Sequence, residues 1–407
     1  MYYLIGEKLS HSYSKEIHNG QGFGYELKEL KSEELDEFLK NKDFDGLNVT
    51  IPYKKTVLPY VVQSDFVKSV GAVNTVVNRN GTLYGFNTDV IGLIKALDEK
   101  GIDVSGKKVL ILGSGGASRA ALKAVEILKG ESVVISRRGE NNYDNLYLHY
   151  DADIIINTTP VGMSPNILGR PVDLTYFKNL KGVMDLIYNP DKTQLIMQAE
   201  KLGIKWQNGL SMLIWQALAS EELFCGNATD ESDIVLHKRP DLFLKNIVLI
   251  GMPFSGKSAV GLELSLLTGF EFIDTDSLIE ARGESIRDIF LRGGETEFRK
   301  IEKEVILKVS SLSKKIIATG GGVVLDGENV DRLKQNGVLV LLERNVLPEE
   351  LEGRPLAKSV EEYNALKSER EKIYNAAKDY TVDNDSDVTS VAEKILKKVG
   401  VYENFSS

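Results

Sequence analysis

A single cysteine, Cys225, in a chain of 407 residues excludes an intrachain disulfide. The four histidines, His11, His18, His149 and His237, are scattered without zinc-ligand spacing and argue against a structural zinc site. There is no excess of positive charge: 50 Lys and Arg stand against 59 Asp and Glu, a formal charge of -9. Such a balance gives no footprint for nucleic acid or an anionic membrane surface and leaves small molecules as the expected partners. Long hydrophobic runs are also missing, since "NIVLIGMPF" and "GVLVLLE" fall far short of the roughly 20 residues of a membrane span. The N-terminus, "MYYLIGEKLSHSYS", lacks the basic, apolar and cleavage regions of a signal peptide, so a cytoplasmic location is expected. No low-complexity tract or internal repeat is evident.

What is present is an ordinary globular composition, 42% hydrophobic and 27% charged, in a chain long enough for two or three domains of about 100 to 200 residues each. Short β-rich runs alternate with amphipathic stretches, the pattern of an α/β protein with largely parallel sheets. The clearest strands are "KKVLILG" (107–113), "SVVIS" (132–136), "ADIIIN" (152–157), "GVMDLIY" (182–188), "NIVLIG" (246–251), "KKIIATG" (314–320) and "VLVLLE" (338–343). Ligands are expected at their carboxyl ends. The polar stretch "GNATDESDIVLHKRPDLFL" between Gly226 and Leu244 is the predicted domain junction, too short and too poor in glycine and serine to let the halves roam.

Two glycine loops follow predicted strands. The first, in "VLILGSGGASRAALKAVEIL", reads strand, tight turn, helix: Gly113, Gly115 and Gly116 let the backbone approach a pyrophosphate that the helix N-terminus favours. Ser114, Ala117 and Ser118 complete the loop, Ser118 standing where the dinucleotide fingerprint prefers Gly or Ala. About twenty residues on, the next strand ends in Arg137 and Arg138, cations suited to the 2′-phosphate of NADP rather than to the ribose hydroxyls of NAD. Taken singly, the loop is also compatible with a plain βα turn and the arginines with a solvated strand end.

Ahead of that loop, "HSYS" (11–14), "NVTIPYK" (48–54), "GAVNT" (71–75) and "GFNTD" (85–89) gather hydroxyls, amides, a lysine and an aspartate in loop-like settings. That inventory suits a polyhydroxylated ligand, with a Lys/Asp couple to move the proton that accompanies hydride transfer at an alcohol carbon. Each motif alone is equally a cap or a turn. Together, and with "NTTPVGM" (157–163), "DLIYNP" (185–190) and "NGLSMLIWQA" (208–217), they resemble the shikimate dehydrogenase family over about residues 3 to 226. The resemblance implies that Ser12 and Ser14 hold a substrate carboxylate, that Thr50, Asn74 and Gln216 contact its hydroxyls or oxo group, and that Lys54 and Asp89 form the catalytic pair with Tyr188 nearby. It places the glycine loop, Arg137 and Arg138 on NADP(H), with Gly209 and Met212 beside the nicotinamide. It also implies a substrate and catalytic domain made of residues 1–90 and 209–226 around a Rossmann-like NADP domain at 91–208. Departures are Lys15, where the family often has proline, a compressed segment from His18 to Tyr25, and Asn141 at the usual second basic cofactor position.

The second loop, "GMPFSGKS" (251–258), has the full spacing of a triphosphate cradle: Gly251, Met252, Pro253, Phe254, Ser255 and Gly256 present backbone N–H groups, and Lys257 reaches the outer phosphates. Ser258 is placed for Mg2+, and Ala259 continues into the helix. Downstream, "FEFIDTDSLIE" carries Asp274 and Asp276 at alternate positions, on one face if the strand persists, while a helix cap is the plainer role for one of them. Arg299 and Glu302 have helical i,i+3 spacing, and three consecutive glycines, Gly320, Gly321 and Gly322, follow a strand, a costly choice unless a backbone must come close to something.

With Arg354 in "GRPLAK" and Arg370 in "SEREKIYNAA", this set resembles the shikimate kinase family over 245–407, after a linker at 227–244. The likeness implies ATP and Mg2+ as cofactors, Asp274 and Ser258 at the metal, and Asp276 as base on the acceptor hydroxyl. Arg299, Arg370 and the three glycines would hold shikimate, and Arg354 would close from a lid that is several residues shorter than usual. The expectation is therefore a bifunctional enzyme. It would reduce 3-dehydroshikimate with NADPH and phosphorylate the product. The alternative is an active dehydrogenase fused to a triphosphate module that only senses nucleotide.

Overall fold

The protein is described from a computed structural model covering residues 1–9, 12–20, 22, 24–236, 244–344 and 360–401. It divides into two compact units, Met1–Tyr188 with Thr193–Leu242, and Asn189–Lys192 with Phe243–Ser407.

The first unit contains two sheets. One is mixed and six-stranded, built from β1 (Tyr2–Gly6), β2 (Tyr25–Glu29), β3 (Gly46–Val49), β4 (Val62–Gln63), β5 (Thr75–Arg79) and β6 (Thr82–Phe86) in the order β2-β1-β3-β5-β6-β4. The parallel pairs β1–β2 and β1–β3 give way to the antiparallel pair β5–β6. Its turn is Asn80-Gly81 with φ of 52° and 83°, the left-handed pair that a two-residue hairpin requires. The other sheet is wholly parallel: β7 (Lys108–Leu112), β8 (Glu131–Ile135), β9 (Ile154–Asn157), β10 (Gly182–Asp185) and β11 (Lys205–Gln207), ordered β11-β10-β9-β7-β8. Chain order reverses at β7, so the crevice for a ligand opens above that strand's carboxyl end.

The second unit holds one parallel sheet, β12 (Asn246–Ile250), β13 (Glu271–Asp274), β14 (Lys315–Ala318), β15 (Gly337–Glu343) and β16 (Tyr380–Asp383), ordered β13-β14-β12-β15-β16. Both parallel sheets are covered on two faces, and the alternation is visible residue by residue. Val109 and Ile111 of β7 enter one core cluster while Leu110 and Leu112 enter another. In β12, Val248 and Ile250 face one core and Ile247 and Leu249 the other. Continuous Val/Ile/Leu runs are the signature of strands buried in this way.

Two helices tie the first unit's sheets together. Helix Thr88–Glu99, capped by the Asn87 side chain, packs against helix Gly209–Phe224. A Cβ on Gly92 would stand 2.6 Å from the Met212 carbonyl oxygen, so the close crossing depends on glycine there. Helix Gly209–Phe224 reaches the mixed sheet through Phe224, whose ring lies 4.8 Å from Tyr2. The polar stretch after Gly226, the expected domain junction, is tied down at its start. Ala228 is buried, Arg79 reaches the Ala228 and Thr229 carbonyls, and the Glu231 carboxylate accepts the Asn87 N–H at 3.0 Å. Residues 237–243 of that stretch lie outside the described residues.

Gly92→Ala tests the helix crossing. Helix propensity favours alanine by about 0.5 to 1 kcal/mol, whereas forcing a methyl onto a backbone oxygen costs about 1 to 3 kcal/mol. The expected outcome is a net loss of about 1 to 2 kcal/mol in urea unfolding. A stabilised variant would show that the helices can separate at no cost.

Candidate active sites

The first site is a cavity of about 410 Å³ in the first unit. Its wall includes Ser12, Ser14, Thr50, Lys54, Asn74, Asp89, Ala117, Tyr188, Gly209, Met212 and Gln216, so the residues nominated from separate sequence motifs converge on one space. Its volume suits a small-molecule ligand. Lys54 Nζ donates to Asp89 Oδ2 at 2.6 Å, with the two side chains 21% and 11% exposed. The pair is wet on one side only, the setting for a proton exchanged with a bound hydroxyl.

Behind the pair lies a buried polar network that the sequence did not announce. Asn74 Nδ2 donates to Asp89 Oδ1 at 3.0 Å and to Thr88 Oγ1 at 2.9 Å, and its side-chain oxygen accepts the Thr88 N–H. Ser220 Oγ, wholly buried, lies 2.9 Å from Thr75 Oγ1, 3.1 Å from Thr88 Oγ1 and 2.8 Å from Asn48 Nδ2. Asn48 in turn accepts from the Tyr25 hydroxyl. Satisfied throughout, such a network fixes the orientation of what it touches, here the carboxylate of Asp89. Ser12 and Ser14 hydroxyls stand 3.2 Å apart. His11, in the same motif, lies outside the described residues. Tyr188 packs beside Tyr13, with ring centroids 5.7 Å apart and planes tilted by 60°, and burial pushes its phenol up from the usual value. Gly209 begins its helix so close to β10 that a Cβ would stand 2.0 Å from the Leu186 carbonyl oxygen.

The glycine loop lies at the carboxyl end of β7, the strand at which order reverses. Gly113 has φ of 109°, and a side chain there would meet Thr158 Oγ1 at 2.7 Å. Helix Gly116–Ile127 starts at Gly115 with no side-chain cap. Gly115 and Gly116 look onto open space, and Ser114 is exposed. Uncapped N–H groups that a backbone-hugging anion can reach fit the pyrophosphate of a dinucleotide. Ala117 joins the loop to the cavity wall while Ser118 turns inward and is buried. Arg137 and Arg138 are exposed just past the end of β8 and form no ion pair among the described residues.

Asp185, at the end of β10, is fully buried. It accepts from Thr193 Oγ1 at 2.6 Å, Asn157 Nδ2 at 3.0 Å and the Ile187 N–H at 3.2 Å. Burial outweighs these bonds and pushes its carboxyl up to about 6.

The second site is built on the loop after β12. Gly251, Phe254 and Gly256 have positive φ, and the Lys257 ammonium lies 2.9 Å from both the Gly251 and Met252 carbonyl oxygens. Helix Lys257–Thr268, which contains Ser258 and Ala259, begins directly after the loop without a side-chain cap. Ser258 Oγ donates to Asp274 Oδ2 at 2.7 Å, placing a hydroxyl and a carboxylate oxygen side by side as a hard divalent cation prefers.

Of the two readings of Asp274 and Asp276, the helix cap holds and the shared strand face does not. The strand stops at Asp274, whose other oxygen caps helix Thr275–Glu280 by accepting from the Asp276 and Ser277 N–H groups. Asp276 therefore turns away from Asp274, toward the triple glycine. A Cβ on Gly320 would lie 2.8 Å from Asp276 Oδ1, one on Gly321 2.9 Å from Pro253, and one on Gly322 2.1 Å from Arg299 Nη2. Each glycine thus faces a different neighbour at close range. Arg370 Nη1 and the Tyr374 hydroxyl both donate to the Gly321 carbonyl. Arg299 is held by Glu302 at 2.8 Å, and burial raises the Glu302 carboxyl against the pull of that arginine, with nearby Asp276 adding to the rise.

Sequence reading missed Asn384. It follows β16, is buried, and donates from Nδ2 to the Ser255 carbonyl at 2.7 Å, so close to Gly256 that any side chain there would collide. Nothing local marks an asparagine 129 positions away as the clasp of the loop. Arg354 lies outside the described residues.

The chain was compared with known proteins. A family model for the shikimate dehydrogenase substrate binding domain matches residues 4–76, and one for shikimate kinase matches residues 253–400. The chain is 37% identical over 256 residues to a shikimate dehydrogenase (NADP(+)) of Caldicellulosiruptor bescii, covering 54% of this chain and 88% of that protein. A crystal structure of shikimate dehydrogenase 1 from Peptoclostridium difficile superposes with a TM-score of 0.51 at 39% identity, covering 57% of this chain and 94% of the other. The Thermus thermophilus enzyme in complex with NADP(H) and shikimate gives 0.52 at 31%, over 57% and 95%.

Two measurements check the electrostatics and the clasp. Asp185 binds its proton more tightly folded than unfolded, so stability from this group is highest below about pH 4 and falls as pH rises toward 6. Relative to Asp185→Asn, the wild-type protein should lose about 2 kcal/mol between pH 4 and 6 in urea unfolding; parallel pH profiles would refute the assignment. Asn384→Ala should lower the affinity for a non-hydrolysable ATP analogue about tenfold by calorimetry, as expected from one buried hydrogen bond lost at the loop. Unchanged affinity would make Asn384 a packing residue only.

Proposed function

Because the chain belongs to the shikimate dehydrogenase family and carries a shikimate kinase domain behind it, we propose that it is a bifunctional enzyme acting twice on one carbocycle. The first unit reduces 3-dehydroshikimate to shikimate with NADPH, and the second phosphorylates the 3-hydroxyl of shikimate with ATP and Mg2+. The observation that supports this most is the Lys54–Asp89 pair, lodged in one cavity with the amides of Asn74 and Gln216 and with Gly209 and Met212.

In the reduction NADPH supplies the hydride. The protein's part is to hold the ring carbonyl beside the ammonium of Lys54 and to deliver one proton from the Lys54–Asp89 pair to the oxygen as it becomes an alkoxide. Asn74 keeps Asp89 aimed at Lys54, and the pair, one proton short after the transfer, is recharged from solvent at its exposed side. Ser12 and Ser14 donate hydroxyls to the ring carboxylate, and Thr50, Gln216 and Tyr188 complete the wall. Open space at Gly115 and Gly116, with Arg137 and Arg138 beyond, suits the pyrophosphate and a 2′-phosphate.

For phosphoryl transfer ATP would supply the group, and Ser258 and Asp274 would hold the Mg2+ that neutralises its charge. Asp276 takes the proton of the acceptor hydroxyl, and Arg299 and Arg370 pair with its carboxylate. The backbone of Gly320 to Gly322 lets the ring come close. Positioning and charge neutralisation account for most of the catalysis such a transfer needs.

One assay addresses both halves. Given 3-dehydroshikimate and NADPH, the protein should consume NADPH with or without ATP and accumulate shikimate 3-phosphate only when ATP and Mg2+ are present. Asp276→Asn should cut phosphate transfer by about 10² to 10⁴-fold and leave NADPH consumption intact, while Lys54→Ala should do the reverse when shikimate is supplied directly. Reduction without any ATP-dependent phosphorylation would instead identify the second unit as a nucleotide-sensing module. Arg137→Ala should raise the KM for NADPH about tenfold and that for NADH much less.

A further inference from the structure

We propose that Lys8 supplies the positive charge by which the first cavity recognises the carboxylate of its substrate, an inference that rests on the dehydrogenase reading above. The cavity wall contains three fully charged side chains, Lys8, Lys54 and Asp89. Lys54 and Asp89 neutralise each other at 2.6 Å, and that pair is committed to the reacting oxygen. Without Lys8 the wall therefore carries no net charge. A ring acid is an anion at neutral pH, and Ser12 and Ser14 offer it only neutral hydroxyls.

The chain brings Lys8 to the carboxylate end by short-range geometry. β1 ends at Gly6, where a Cβ would stand 2.7 Å from Thr50 Cγ2 and 2.8 Å from Leu9 Cδ2, so the segment turns tightly over Thr50. The Leu9 N–H is fixed on Glu29 Oε1 at 2.7 Å, and the Ser12 N–H returns to the Leu9 carbonyl at 2.9 Å. Leu9 is buried and anchors the turn, while Lys8 is exposed at the rim and makes no ion pair among the described residues. Glu7 and Glu29 are the nearby carboxylates, both exposed. A lysine anchored on one side and exposed on the other can adapt its reach, as a capturing cation should.

Steady-state oxidation of shikimate with NADP tests this against a neutral ester of shikimate. In the wild-type protein, kcat/KM for shikimate should fall with ionic strength and that for the ester should not. Lys8→Gln should raise the KM for shikimate about fivefold with kcat within twofold, leave the ester and NADP unaffected, and flatten the salt dependence; Lys8→Arg should restore it. The thermal midpoint should not move, since Lys8 is exposed. Unchanged KM and salt slope in Lys8→Gln, with an active wild-type protein, would overturn the inference alone. A wild-type protein that does not turn shikimate over would overturn the dehydrogenase reading, and this inference with it.

Discussion

A strand buried on both faces has nowhere to place a polar side chain except at its ends. That constraint governs both parallel sheets here: β7 and β12 are apolar to their last residue, and the chemistry begins one or two residues later, at Gly113 and Gly251. Because all strands of such a sheet run the same way, their polar ends gather along one edge. Asn157 and Asp185 end β9 and β10, Arg137 follows β8, Asp274 ends β13, Gly320 follows β14 and Asn384 follows β16. The sites are what remains of polarity once the cores have been filled.

The mixed sheet solves a different problem. It must present a lysine and a carboxylate to a ligand while holding them in register, and it does so by stacking hydroxyls and amides behind them. Asn74, Thr75, Thr88 and Ser220 come from a loop, a strand and two helices, yet each is buried and each finds a partner. A half-satisfied arrangement of this kind would cost more than an apolar core. That makes the alignment of Asp89 a property of four elements at once rather than of the motif around it.

The glycines show the same division of labour in the second unit. Gly320, Gly321 and Gly322 are adjacent in sequence, but the objects they accommodate, Asp276, Pro253 and Arg299, come from three separate places along the chain. The run of three announces a close approach. It does not say to what. Asp274 shows how a local rule was overtaken: the two-residue spacing to Asp276 reads as one strand face, but the carboxylate of Asp274 satisfies the N–H groups of a starting helix and ends the strand there.

What the sequence by itself determined is whatever short-range physics encodes: the buried parallel strands, written as unbroken Val/Ile/Leu runs, the two glycine loops at strand ends, and the residue types that such loops and a Lys/Asp couple require. The seven strands expected from those runs are all present, with ends shifted by at most three residues, the most at β10, which stops at Asp185. Only the tertiary structure decided which residues meet. Ser220 beneath Asn48 and Thr75, Asn384 against Ser255, and Lys8 on the wall beside Ser12 each join segments or orientations that no periodicity relates. A hydrogen bond across 129 or 172 positions leaves no local trace, because its energy depends on where the intervening chain returns rather than on its neighbours in sequence.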